Sequence, residues 1–518
     1  MFTQKTILKK TLQVGSSTLL SRFFGIIREA LLIRYLGATG LSDAFITAFK
    51  IPNLLRKIFA EGALSATFTP TAVEIIKHNS QQTISGLMSL SFLFFEGMVL
   101  IFCAFIMYYA GPILRFIAPG FSDEQILSAI PMLHILMPFI LFISSSALLG
   151  GALHAIGHFF TQAIAPVILN IIFIAGLVLS IFFNLPVTYL CWFILASGLI
   201  HFIVHFIMYI KFHFSFGRIT RKDFTLFATI MNKFLLCLPS VSMMEIAHFI
   251  DTSYASLLPA GSLSLISYAN RFIGIPLGVF AAAFSTILLP HFSRINTYSP
   301  KRLHFYLLES AKLIFWVTIP SALLMAFFSQ EIFITIFVSK KFTLVQAYEA
   351  GNILMVFTIG LFFFSLNKIL LNMFYSMHAA WVTAVVSLLA TGLNIILNEL
   401  LIKQFQTIGL ATATTIAGIV QTILFLAILH KKYKFRLYIG RFSQFIACYT
   451  AQLVLFGTLF IVSYYCLAKG IQSIPSHYAL FFINSIGLWF WVGPLALIFL
   501  FFIWYTRNLF KVKLYFLP

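Results

Sequence analysis

IAPVILNIIFIAGLVLSIFF, residues 164–183, holds one amide, one hydroxyl and no charge. As a helix rising 1.5 Å per residue it is about 30 Å long, the thickness of a bilayer's hydrocarbon core. It has no polar face to turn toward water, so it reads as a membrane-crossing helix. Largely apolar runs of the same length recur, as in residues 90–109 and 486–505. The whole chain agrees: of its 518 residues 60% are hydrophobic and only 9% charged. Soluble domains carry about 25% charged residues, so this chain lacks the polar surface of a soluble globule. The expected fold is an all-α polytopic membrane protein of about fourteen transmembrane helices. Lys9 and Lys10 resemble the start of a secretory signal, but Arg22 and Arg28 follow and no small-residue cleavage site does, so the first segment is expected to be a span.

The formal net charge of +20 would point to nucleic acid in a soluble protein. Here the basic residues cluster in short loops. If residue 1 is cytoplasmic, the loops after even-numbered spans should be basic. Lys211, Arg218, Arg221 and Lys222 satisfy this, as do Arg294, Lys301 and Arg302, then Lys431, Lys432, Lys434, Arg436 and Arg441, then Arg507, Lys511 and Lys513. The loops expected outside hold only Arg115, Lys340, Lys341, Lys403 and Lys469. Both termini are therefore expected in the cytoplasm, with no nucleic-acid partner. The five cysteines, Cys103, Cys191, Cys237, Cys448 and Cys466, have no metal-site or disulfide spacing and read as packing residues.

Four pairs share an offset of 224: Gly37 with Gly261, Ile51-Pro52 with Ile275-Pro276, His154-Ala155 with His378-Ala379, and Asn170 with Asn394. The pattern predicts two pseudo-symmetric six-helix lobes, residues 1–225 and 226–440, followed by two additional spans in residues 441–518. Gly/Pro-interrupted spans at matching places in two halves mark transporter binding sites.

Residues 22–61 are unusually charged for spans. They contain Arg22, Arg28, Glu29, Arg34, Asp43, Lys50, Arg56, Lys57 and Glu61, six basic against three acidic. A charge at the centre of a span costs about 2.5–3.5 kcal/mol on insertion scales, so these groups should line a wet interior or sit near an interface. At 100° per residue Asp43, Lys50, Lys57 and Glu61 fall on one stripe, and Pro52 should bend their helix. Arg28 and Arg34 lie about 120° to either side of the face holding Arg22, so unwinding at Gly25 or outward snorkelling of Arg34 is expected. Mutual pairing that merely holds helices together is the plainer reading. Matching within the segment leaves three cations over, which favours an anionic ligand, and arginine's planar fork suits phosphate oxygens. Arg271, beside Pro276, adds a cation in the second lobe.

Asn394 and Asn398 share a helical face, with Asp251 and Thr414 in other spans. Such oxygen donors suit a hard cation such as sodium, although hydrogen bonding between helices is the commoner use. His201 and His205, four apart, have no carboxylate nearby and are expected to play an interfacial role. The sequence has no phosphate-binding glycine loop, no Gly-x-Ser-x-Gly and no paired catalytic carboxylates, so an enzyme is not expected. A drug exporter for cations would want an acidic cavity, an enzyme acting on a polyprenyl phosphate more carboxylates, and a mere scaffold no surplus of buried arginine.

SRFFGIIREALLIRYLGATGLSDAFITAFKIPNLLRKIFAEGALSATFTP, residues 21–70, resembles the opening of the MurJ/MviN family. SYANRFIGIPLGVFAAAFSTILLPHFS, residues 267–293, resembles the same family. The family belongs to the multidrug/oligosaccharidyl-lipid/polysaccharide exporter superfamily and flips lipid II, the undecaprenyl-diphosphate-linked peptidoglycan precursor. The resemblance implies a V-shaped pair of lobes in the bacterial inner membrane, working as a monomer among membrane lipids. It implies a cationic cavity with Arg22, Arg28, Asp43, Arg56, Glu61 and Arg271, and a groove for the lipid tail in the last two spans. It also implies a sodium site at Asp251, Asn394, Asn398 and Thr414, with no other cofactor. Two positions depart from the family. Glu29 stands where Asp is usual, and Asn398 replaces an Asp of the sodium site, removing one negative charge. The alternative cargo is another polyprenyl-linked glycan or a drug.

Overall fold

The computed structural model describes residues 4–61, 63–78, 84–278, 302–377, 379–473, 480–483 and 485–515. Arg294, Lys301, His378 and the latter part of the 267–293 motif lie outside them, as do the side chains of Cys237 and Glu61. The described residues are overwhelmingly helical. They contain nine helices long and apolar enough to cross a membrane, and the helical segments are consistent with fourteen spans.

The chain packs as two compact units, Met1–Ser264 and Leu265–Pro518. The first begins with α1 (Gln4–Leu36), continuous through Gly25. Thr39 and Ser42 then form a capping box that starts α2 (Gly40–Arg56), each side chain accepting from the other's backbone N–H. Pro52 lies inside α2, and the helix passes into a π-helical turn, Lys57–Glu61, before α3 (Ala63–His78). After these come α4 (Ser85–Tyr108), α5 (Ala110–Ile117), α6 (Asp123–Leu136), α7 (Phe139–Ala155), α8 (Phe160–Phe182), α9 (Val187–Lys211) and α10 (Arg221–Ser256). Helix α8 packs against α1 and α9, and α9 packs in turn against α7, with small residues where the backbones come close. A Cβ on Gly176 of α8 would fall 2.6 Å from Phe193 of α9, and one on Gly198 of α9 would fall 2.6 Å from Phe139 of α7. From sequence α10 reads as the first span of the second lobe; here it packs on α3 and α4.

The second unit is built from α11 (Ser262–Pro276), α12 (Leu303–Phe327), α13 (Ser329–Phe337), α14 (Leu344–Ser376), α15 (Ala380–Lys431), α16 (Ile439–Gln472) and α17 (Leu488–Thr506). The first three residues of α11 belong to the first unit. Its core joins α12, α14 and α15 through Leu307, Ile314, Leu366, Met373, Phe374, Val386 and Phe425. Helix α15 is two spans in one: Gln406 breaks it with a φ of 46°. The last two helices are tied by Gln452, which donates to the Ile503 carbonyl and to Thr506 Oγ1, both at 2.8 Å. Both present apolar side chains outward, among them Val454, Leu497 and Phe501.

Three of the four repeat pairs fall wholly within the described residues. Gly37 precedes α2 and Gly261 precedes α11, both with positive φ (68° and 97°). Pro52 and Pro276 lie inside those same helices. Asn170 and Asn394 lie within α8 and α15, and both are buried.

Candidate functional site

The charges of residues 22–61 divide into two groups. The first is Arg22 and Arg28 on α1. Arg28 donates from Nη1 to Asn170 Oδ1 at 2.8 Å and from Nη2 to Glu29 Oε1 at 2.6 Å. Its guanidinium carbon lies 5.2 Å from the ring centroid of Phe173. Asn170 in turn donates to the Ser21 carbonyl at 3.0 Å. A ring face, a carboxylate and an amide thus hold the guanidinium in a fixed plane, which is how a fork-shaped donor is pre-organised for paired oxygens. Arg34, on another face, is exposed as expected of a snorkelling side chain. Both inner arginines reach one place without any unwinding of α1, because long side chains bridge the angle between them.

That place is a cavity of about 550 Å³ lined by Ser21, Arg22, Gly25, Arg28, His154, Phe159, Gln162, Ala163, Pro166 and Asn170. Its size is ordinary for a ligand pocket. Its lining holds two guanidinium groups and no carboxylate. Sequence reading named the two arginines and missed the amides. Asn170 had a signal, since it recurs as Asn394 in the repeat, whereas Gln162 is a lone amide whose role depends on which helix α8 meets.

The second group is the stripe Asp43, Lys50 and Lys57. It does form one face, and in this structure that face is bound along α10 and the turn after it. Asp43 is buried and accepts from the Gly261 amide at 2.6 Å, the Ser264 amide at 2.8 Å and Ser264 Oγ at 2.5 Å. Lys50 donates to the His248 carbonyl at 2.9 Å and to Thr252 Oγ1. Lys57 pairs with Glu245 at 2.7 Å. The surplus of cations counted within 22–61 is therefore smaller once Glu245 is included. Arg56 donates from Nε to Asn53 Oδ1 at 3.0 Å, while Glu61 closes the π-helical turn. Arg271 is half-buried on α11 in the second unit.

Of the expected sodium ligands, Asn398 donates to Asn394 Oδ1 at 3.0 Å and Asn394 to Thr414 Oγ1 at 3.4 Å. Asp251 belongs to α10 of the first unit. The three second-unit side chains are neutral and bonded to one another, which fits a link between helix segments better than a cation shell. Among the described residues no group of three or more His, Cys, Asp or Glu could hold a metal.

His201 and His205 face neighbouring helices. Both are buried inside the first unit, where α9 meets α7 and α8.

Many helices long and apolar enough to cross a membrane, with two arginines lining one cavity, are the architecture of a polytopic membrane transporter. The model of the family "Lipid II flippase MurJ" matches residues 32–504. A probable lipid II flippase MurJ of Buchnera aphidicola subsp. Baizongia pistaciae (strain Bp) is 31% identical over 425 residues, which are 80% of this chain and 81% of that one. A solved structure of lipid II flippase MurJ in an inward closed conformation superposes with a TM-score of 0.76 at 24% identity, covering 96% of this chain and 99% of its own. An inward-facing multidrug resistance MATE family transporter of the MOP superfamily superposes with a TM-score of 0.66 at 15% identity, covering 80% and 93%. The chain belongs to the lipid II flippase MurJ family.

Proposed function

We propose that this chain carries lipid II from the inner to the outer leaflet of the bacterial cytoplasmic membrane by alternating access. The cavity of Arg22 and Arg28 carries this reading, because a guanidinium held flat and laterally offers paired donors to diphosphate oxygens. In this reading residues 1–225 and 226–440 are the lobes that move, Arg271 adds its charge from the second, and the spans in 441–518 hold the polyprenyl tail in lipid. The chain works as a monomer. The test is depletion in the native cell followed by a leaflet-specific assay of lipid II. Lipid II is expected to accumulate in the inner leaflet. If it still reaches the outer leaflet in a strain with no second flippase, the cargo is another polyprenyl-linked glycan.

The basic loops support a cytoplasmic side for both termini and for residues 211–222. A cysteine introduced at Arg218 should stay unlabelled by an impermeant reagent added from outside. Efficient labelling there overturns the orientation.

We also propose that membrane potential, more than sodium, drives export. A diphosphate carries about two negative charges outward, and a potential negative inside assists by about 2.3 kcal/mol per charge per 100 mV. The neutral, mutually bonded Asn394, Asn398 and Thr414 support a weak sodium effect at most. Proteoliposomes with potential and sodium gradient set independently should show this. A strict sodium requirement at fixed potential, abolished by Asp251→Asn, contradicts it.

A further inference from the structure

Helix α4 is long and apolar enough to cross a membrane, and Glu96 is its one acidic or basic residue. Glu96 sits at the helix midpoint, about 17 Å from either end at 1.5 Å per residue. That is the middle of the hydrocarbon, where an ionised side chain is costly. Other acids within the helices are compensated. Glu29 has Arg28, Glu245 has Lys57, Glu309 has Lys312 at 2.8 Å, and Asp43 accepts from two amides and a hydroxyl. Glu96 has no ion pair among the described residues. Both of its carboxyl oxygens meet one group, Ser144 Oγ of α7, at 2.8 and 2.9 Å, with Ser145 alongside.

The helices packed most closely on α4 are α7, α10 and α5. Helix α7 has no charged residue, and its His154 lies in the last turn. Helix α10 meets α4 through Phe227 and Phe234, whose rings pack on Phe95. Its Lys233 is exposed, and Arg221, Lys222 and Asp223 lie in its first turn. Further along, Glu245 holds Lys57, and His248 and Asp251 lie beside Lys50. Helix α5 contributes Arg115, paired with Asp123. None of these cations bonds Glu96.

An ionised carboxylate has about four lone-pair sites to satisfy, and here it would meet serine hydroxyls alone. A neutral acid has one O–H to place. Ser144 Oγ accepts it, and the Ser144 proton can go to the Leu141 carbonyl oxygen, 3.3 Å away. Glu96 is half-buried. Residues three before and four after it lie on its side of the helix. These are Leu93 and Leu100, 65% and 56% exposed, so the open part of Glu96 meets lipid.

We propose that Glu96 is a proton-binding site at the centre of the membrane, carrying its proton as a neutral acid that Ser144 positions and that lipid-dissolved molecules can reach. Releasing the proton would leave a bare charge in hydrocarbon, so release requires water to enter the seam between α4 and α7. Neither the cargo nor the arginine cavity enters into this. The probe is dicyclohexylcarbodiimide, which dissolves in lipid. The acid adds across one of its C=N bonds, oxygen to the central carbon and proton to nitrogen. The acyl group then moves from that oxygen to the other nitrogen, giving a stable N-acylurea from which nothing leaves. The full chain in lipid nanodiscs at pH 7 is treated with the probe, and the adducts are mapped by mass spectrometry. A glutamate in water, with a pKa of about 4.3, is less than about 1% neutral at pH 7. Glu96 should therefore be modified on the order of 100-fold faster than the exposed Glu124. The infrared spectrum of the wild-type protein minus that of Glu96→Gln should contain a carboxylic-acid C=O stretch. Ser144→Ala should move that band to higher frequency, because the acid loses its partner. Modification of Glu96 no faster than of Glu124, or carboxylate bands in place of the acid band, overturns the proposal. A band unmoved by Ser144→Ala overturns the role of Ser144. If Glu96→Gln does not fold, labelling of the wild-type chain decides alone.

Discussion

Arg28→Ala is expected to lower transport by on the order of 100-fold while the protein still inserts in the membrane at normal levels. Arg28 gives three of its five N–H groups to Asn170 and Glu29 and lies against Phe173, yet keeps about a quarter of its side chain exposed. Removing one partner of a desolvated, hydrogen-bonded charge pair costs about 2–5 kcal/mol, and 3 kcal/mol corresponds to roughly 100-fold. Alanine removes both the charge aimed at the ligand and the group that orients Asn170. Arg28→Lys should recover part of the rate, because it restores the charge without the planar fork. Arg271→Ala should also be severely impaired if that arginine meets the same anion. The measurement is transport by reconstituted protein, with membrane level determined alongside. Full activity of both alanine variants would remove the anion-binding argument.

Asp43→Ala should break the junction between α2 and the turn at residues 257–264. This one carboxylate accepts from two backbone amides and a hydroxyl, all buried. Each buried donor left without an acceptor costs about 1–3 kcal/mol. Relief of the buried charge offsets some of that, and Ser264 Oγ can still bond Ser42 Oγ, 2.5 Å away. A net loss of about 3 kcal/mol follows, read as amide exchange at Gly261 and Ser264 faster by on the order of 100-fold. Asp43→Asn should recover only part, since its NH2 meets one of the two amide donors. Gly261→Ala should open the same junction with Asp43 intact. Its φ of 97° is strained for any residue with a Cβ, and that Cβ would fall 2.4 Å from the Ala38 carbonyl oxygen. Unchanged exchange in Asp43→Ala would show that other contacts hold the turn.

Much of this was legible in the residues. The stripe of Asp43, Lys50 and Lys57 follows from helical periodicity alone, since seven residues make nearly two turns. What periodicity cannot say is which helix that face meets. A surplus of three cations within residues 22–61 is too large, because Glu245, which pairs with Lys57, lies 188 residues away. The histidines of α9 show the same limit: position along a span says how deep a residue sits, but not whether it faces lipid or, as His201 and His205 do, a neighbouring helix.

The amino-acid sequence by itself determined that the chain lives in a membrane, that it is helical, and that it holds more positive charge than its spans can leave in lipid. These are properties of composition and period, and the bilayer admits few structures that satisfy them. Only the tertiary structure decided that Arg28 is held by Asn170 and Phe173 at a cavity, and that Asp43 binds the turn at Gly261. Those outcomes depend on which side chains of distant segments meet across 142 and 218 residues of chain, and contacts at that separation are set by the packing of whole helices against one another.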